Sequence, residues 1–78
     1  MSTAIYRAIR DNNTNVIQIA SDVGVTRSSI YQSIDGGGSR AIRVRLALLA
    51  ELPPTTIWGR SYQYQLDDLF YQQKGGVL

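Results

Sequence analysis

The 78-residue chain contains no cysteine and no histidine. Without thiols there is no disulfide to brace a small core and no thiolate metal site. Without imidazole there is no histidine general base, no Ser–His pair and no His-ligated zinc. Carboxylates number only six and are mostly scattered. Asp67 and Asp68 are adjacent, so on a helix they point about 100° apart. Gly36-Gly37-Gly38 lacks the lysine and the spacing of a phosphate-binding loop. These absences argue against an enzyme, a bound metal or a cofactor, and no small-molecule substrate is evident. No apolar run suits a signal peptide or approaches the ~20 residues of a membrane span. The expectation is a soluble, intracellular protein, for which the cytoplasm fits.

What is present suits one small domain. Hydrophobic residues make up 44% of the chain, enough for a core, though the length lies near the lower size for independent stability. The net charge is only +2. Residues 1 to 60 carry seven arginines against Asp11, Asp22, Asp35 and Glu51, whereas the remainder carries Lys74 against Asp67 and Asp68. Arginine is the cation suited to bidentate contact with phosphate and guanine, but an ordinary basic globular protein has a similar balance.

The informative stretch runs from Val16 to Asp35. Ile19 and Val23 are four apart and share one helical face with Ala20 beside them; Ile30 and Ile34 repeat the spacing. Between the two patterns stands Gly24, where a residue without a Cβ can take the positive φ of a helix stop and sharp turn. Val25 plugs the corner, and Thr26 is a good N-cap for the second helix. A small Ala20 four residues before the turn allows two helices to cross closely. This is the sequence shape of a helix-turn-helix. With Val25, Ile30 and Ile34 inward, the outward set is Thr26, Arg27, Ser28, Tyr31, Gln32 and Asp35. The bland alternative is an αα-corner that binds no nucleic acid.

Around this centre the chain reads as helices. Ser2 or Thr3 can cap a first one through about Arg10, with Ile5 and Ile9 inward and Arg7 and Arg10 outward. Asp11 to Asn15 breaks it, and Thr14 or Asn15 can cap the next. The glycine run is either a flexible connector or a loop whose bare amides approach a DNA backbone. Ser39 can cap a helix from Arg40 to about Leu52, striped by Ile42, Leu46 and Leu49. Arg45 falls near the middle of that stripe, so either it snorkels or the helix lies off the ideal wheel. Pro53-Pro54 ends it, and Pro54 to Trp58 forms a short helix. Beyond Gly59, Tyr62, Tyr64 and Leu66 alternate with glutamines at strand period, while Leu66, Leu69 and Phe70 have helical spacing. An extended segment running into a short helix fits both.

The chain resembles the lambda repressor and Cro fold family of phage regulators, and within it the Ner family, small negative regulators of transposing phages. The resemblance rests on Val23-Gly24-Val25, on Ser28-Ser29-Ile30 with Ser33-Ile34, and on Leu52-Pro53-Pro54-Thr55-Thr56-Ile57-Trp58 followed by Arg60-Ser61-Tyr62. It covers about residues 14 to 62. It implies a compact all-α bundle of four to five short helices, operator binding through the helix from Thr26 to Ile34, and repression of a nearby promoter. The triple glycine, the Ile42-Arg43-Val44-Arg45 run and the acidic Asp35 depart from the family pattern.

The combined expectation is an all-α, sequence-specific regulator that binds a double-stranded DNA operator without a cofactor. Residues 1–60 would form the helix-turn-helix domain and 61–78 a C-terminal tail. Base contacts are assigned to Arg27, Ser28, Tyr31 and Gln32. Backbone contacts are assigned to Thr14, Asn15, Thr26, Ser39, Arg40 and Arg43. Tyr62, Tyr64, Leu66, Leu69 and Phe70 either form a homodimer interface or, for Leu66 and Phe70, fold back to complete the core. Two other functions stay open: a protein-binding accessory factor or antirepressor on the same fold, and an architectural or recombination factor that chiefly bends DNA.

Overall fold

Gly24 lies at φ 82°, ψ 34° and stops the helix before it, as its lack of a side chain permits. Its amide and that of Val25 both donate to the Ala20 carbonyl, at 2.8 and 2.9 Å. The computed structural model describes residues 2–59 and 63–75. The helices there are α1 (Ser2–Asp11), α2 (Val16–Val23), α3 (Arg27–Ile34), α4 (Arg40–Ala50), α5 (Pro54–Trp58) and α6 (Tyr64–Gly75). Among the described residues there is no strand, and no helix is long and apolar enough to cross a membrane.

The local chemistry explains most boundaries. Asn13 takes the left-handed conformation at φ 58° after α1, a conformation that asparagine tolerates better than most residues. Of the two candidate caps for α2, Asn15 serves: its Oδ1 accepts the Gln18 amide at 2.8 Å. Thr26 Oγ1 caps α3 by accepting the Ser29 amide at 3.3 Å. Ser39 occupies the N-cap of α4 but makes no side-chain cap bond. That helix ends at Ala50, two residues early, because Glu51 turns left-handed at φ 57° ahead of the proline pair. Pro54 opens α5, where its missing N–H costs nothing.

The packing is organised around α4, which touches α1, α3, α5 and α6. Ile42, Val44, Leu46 and Ala47 are buried on it, and the core continues through Ile5, Ile9, Ile19, Ile30, Ile34, Ile57 and Phe70. The helix sits rolled away from the stripe expected of it. Arg43 is buried, Arg45 is exposed, and Leu48 and Leu49 are half-buried. Of the two explanations for Arg45, the off-wheel orientation is the one adopted.

The largest departure from expectation is the tail. The short helix expected there already begins at Tyr64, where the alternation suggested extended chain, and residues 64–75 form about three turns, the sixth helix among the described residues. Leu66 and Phe70, four apart, present one face and are almost wholly buried, with α6 packed against α4 and α5. A three-residue alternation was too short to outweigh a pair that docks this way. These two residues therefore complete the core and are not available to an interface between copies. Tyr64 and Leu69 are exposed, and Tyr62 lies outside the described residues.

Candidate nucleic-acid interface

The turn Gly24-Val25-Thr26 joins α2 to α3; these helices pack together, and Ile19, Ala20, Ile30 and Ile34 all lie in the core. With one side of α3 committed to the core, the other is fixed by geometry. Arg27, Ser28, Tyr31, Gln32 and Asp35 are all exposed. Every residue assigned to base contact therefore lies at the surface of one helix. No aliphatic side chain interrupts that surface, and its guanidinium, hydroxyl and amide groups are those that pair with base edges.

Both ends of α3 are held. At the N-terminus Thr26 Oγ1 lies 3.1 Å from Ser29 Oγ in addition to its cap bond. At the C-terminus the Gly36 amide donates to the Ser33 carbonyl at 3.0 Å and the Gly37 amide to the Gln32 carbonyl at 2.9 Å. The glycine run is thus neither a loose connector nor, at these two positions, a set of bare amides. Gly36 needs its missing side chain: φ is +97°, and a Cβ would stand 3.2 Å from Trp58 Cδ1. The Trp58 indole in turn donates from Nε1 to the Ile34 carbonyl at 2.7 Å.

Arg43 requires a correction. Placed by its sequence position as a phosphate contact, it is only 6% exposed. Its Nη1 donates to the Gly36 carbonyl at 3.2 Å and to Gln63 Oε1 at 2.8 Å. A guanidinium is rarely buried without such acceptors, and here they come from the turn after α3 and from the residue before α6. Arg43 braces the interior and is withdrawn from the surface. The other backbone candidates keep accessible positions: Asn15, Thr26, Ser39 and Arg40 are exposed, and Thr14 is half-buried. The Asn15 and Thr26 side chains are already engaged as helix caps.

Beside α3 the structure forms a shallow groove of about 600 Å³, bounded by α1, the start of α2 and α3. Tyr6 and Arg10 reach it from α1, Ile17 from α2, and Arg27 and Tyr31 from α3. Sequence reasoning placed Arg10 outward but did not connect it to α3, because helical spacing reports which face a residue occupies and not which other helix shares that face. Ile17, which falls off the face shared by Ile19 and Val23 and is exposed, was the available signal. A second hollow of about 470 Å³ opens between α2, α4 and α6, with Val23, Leu48 and Leu49 in its lining and Asp22 and Arg45 among its polar groups. Among the described residues no group of three or more acidic side chains could hold a metal ion. No protein-family model, curated protein or solved structure matches this chain, so the outward face of α3 and its two anchored ends carry the functional argument.

Proposed function

We propose that this protein is a sequence-specific double-stranded DNA-binding transcription regulator, a prokaryotic or phage repressor acting in the cytoplasm, which places α3 in the major groove. The observation that carries this reading is the exposed, aliphatic-free face of Arg27, Ser28, Tyr31 and Gln32 on a helix anchored at both ends. A major groove about 12 Å wide admits one α-helix. Arginine can pair bidentately with guanine and glutamine with adenine, each pair giving ~1–3 kcal/mol of discrimination. Thr26, Ser39 and Arg40, exposed beyond the two ends of α3, are the candidates for positioning it on phosphates.

The test is selection of preferred duplexes from a random pool, followed by binding of Arg27→Ala and Gln32→Ala. Each variant should lose ~1–3 kcal/mol on the selected site and less on random DNA. Recovery of no preferred motif removes the reading. A second reading, a protein-binding accessory factor, is favoured by the hollow between α2, α4 and α6, whose half-buried Val23, Leu48 and Leu49 leave apolar surface uncovered. The same selection separates the two.

A further inference from the structure

The exposed large apolar side chains of the described residues fall into two groups: Tyr64, Leu69 and Tyr71 on α6, and Tyr6, Ile17 and Tyr31 on three different helices. The second group converges on the groove beside α3. Such convergence from α1, α2 and α3 is a property of the fold and not of any one helix face. Exposed apolar surface of this kind, rimmed by polar groups, marks interaction sites.

The charges of the groove say what it would meet. Arg10 and Arg27 line it and no carboxylate does. Asp11 lies outside it, and its contact with Arg10, 3.9 Å between exposed groups, is too long and too solvated to hold the guanidinium. The hollow on the other side differs, since Asp22 and Arg45 balance there. Two arginines among two tyrosines and an isoleucine match a ligand that alternates negative charge with apolar faces. A nucleic-acid strand does this, with a phosphate and then a deoxyribose in each nucleotide. Arg27 and Tyr31 belong both to the groove and to the base-reading face of α3, so the two surfaces are continuous. A helix some 10–12 Å across fills a major groove, and what stands beside that helix meets the backbone at the groove's edge.

Resting on the function proposed above, we infer that the groove between α1 and α3 holds the sugar–phosphate backbone of the strand flanking the bases read by α3. Arg10 binds a phosphate there, and Tyr6 and Ile17 pack against deoxyribose. The contact extends the footprint on the DNA beyond the helix-turn-helix and adds affinity without adding sequence preference.

The experiment measures affinity against salt for the full chain on its selected duplex. Arg10→Ala should lower the log–log salt slope by ~0.9, and the affinity near 0.1 M salt roughly five- to tenfold, equally on selected and random DNA. Tyr6→Ala should weaken binding several-fold with the slope unchanged. Replacing single phosphates beside the site with neutral methylphosphonates should identify one position at which Arg10→Ala has no further effect. The Arg10 side chain is 78% exposed, so that variant should fold, and an unchanged melting curve checks it. An unaltered slope in Arg10→Ala overturns the inference, and if Arg27→Ala and Gln32→Ala still lose selectivity, the function proposed above stands. Saturable binding of a polyglutamate peptide that Tyr6→Ala and Arg10→Ala abolish, with DNA binding unaffected in both, overturns it in favour of an acidic protein partner. A chain that binds no duplex at all overturns both readings.

Discussion

The indole of Trp58 and the carbonyl of Ile34 are joined by a 2.7 Å hydrogen bond that ties α5 to the end of α3 across 24 residues of sequence. The last carbonyls of a helix have no partner within it, so a donor arriving from elsewhere both satisfies one and fixes where the helix points. Trp58→Phe retains a ring while removing the donor. It should cost ~1–3 kcal/mol in urea unfolding followed by circular dichroism, the penalty for a part-buried acceptor left without its bond. Gly36→Ala should destabilise by a similar ~1–3 kcal/mol, because alanine at φ +97° is strained and its Cβ would press on the same indole. Both variants at wild-type stability would remove this account of how α3 is held.

Arg43 and Arg40 lie three residues apart and should behave in opposite ways. Arg43→Met removes a buried donor to the Gly36 carbonyl and to Gln63, and should lower stability by ~1–3 kcal/mol. It should leave the salt slope of DNA binding as it was. Arg40→Ala, at the surface, should leave stability within ~0.5 kcal/mol and reduce that slope by ~0.9. Thermal melts and salt titrations on the two proteins check the division, and a reversed pattern would exchange their roles.

The C-terminal helix belongs to the core. Leu66→Ala should cost ~2–5 kcal/mol and Phe70→Ala ~3–5 kcal/mol, since both side chains are at most 2% exposed. For a chain of this size such a loss approaches the whole of its stability. Truncation after Gly59 should therefore give an unfolded product, seen as loss of the far-ultraviolet helical signal.

Most of the helix-turn-helix was readable from residue types alone. Gly24, Thr26, Asn15 and Pro54 act through local chemistry, and each does in the structure what its backbone preference or side-chain oxygen suggests. Arg43 and the start of α6 were not readable in this way. Sequence spacing set Arg45 within the apolar stripe and left Arg43 outside it, yet the guanidinium that is buried is the one with acceptors in reach. Those acceptors are a backbone carbonyl seven residues earlier and a glutamine twenty residues later, and periodicity contains neither. The tail misled for a related reason: tyrosines alternating with glutamines look like a strand until Leu66 and Phe70 find α4. The groove of Tyr6, Ile17 and Tyr31 also required three helices to be placed before it existed.

With Leu66 and Phe70 withdrawn into the core, Tyr64 and Leu69 remain exposed, as does Tyr71, seven residues and about two turns beyond Tyr64. A regulator with a single short reading helix gains site length by pairing two copies on half-sites ~10 base pairs apart. If α6 supplies that contact, Tyr64→Ala and Leu69→Ala should leave the melting temperature nearly unchanged. They should abolish binding of the second copy in sedimentation on an inverted-repeat duplex. A wild-type protein that stays monomeric both free and on DNA excludes the pairing.

Asp67 accepts hydrogen bonds from both the amide and the hydroxyl of Thr55, at 3.1 and 2.8 Å. The five-residue α5 is thus capped at its start by a residue from α6, made twelve positions later. Its other end carries Trp58, which anchors α3. Order at the end of α3 therefore depends on a segment made after it. A nascent chain stopped before Asp67 has every outward residue of α3 and lacks the contact that caps α5. Under the proposed reading, competence to occupy an operator requires the chain through Asp67 and Phe70, so fragments that stop short of them would not compete for the site.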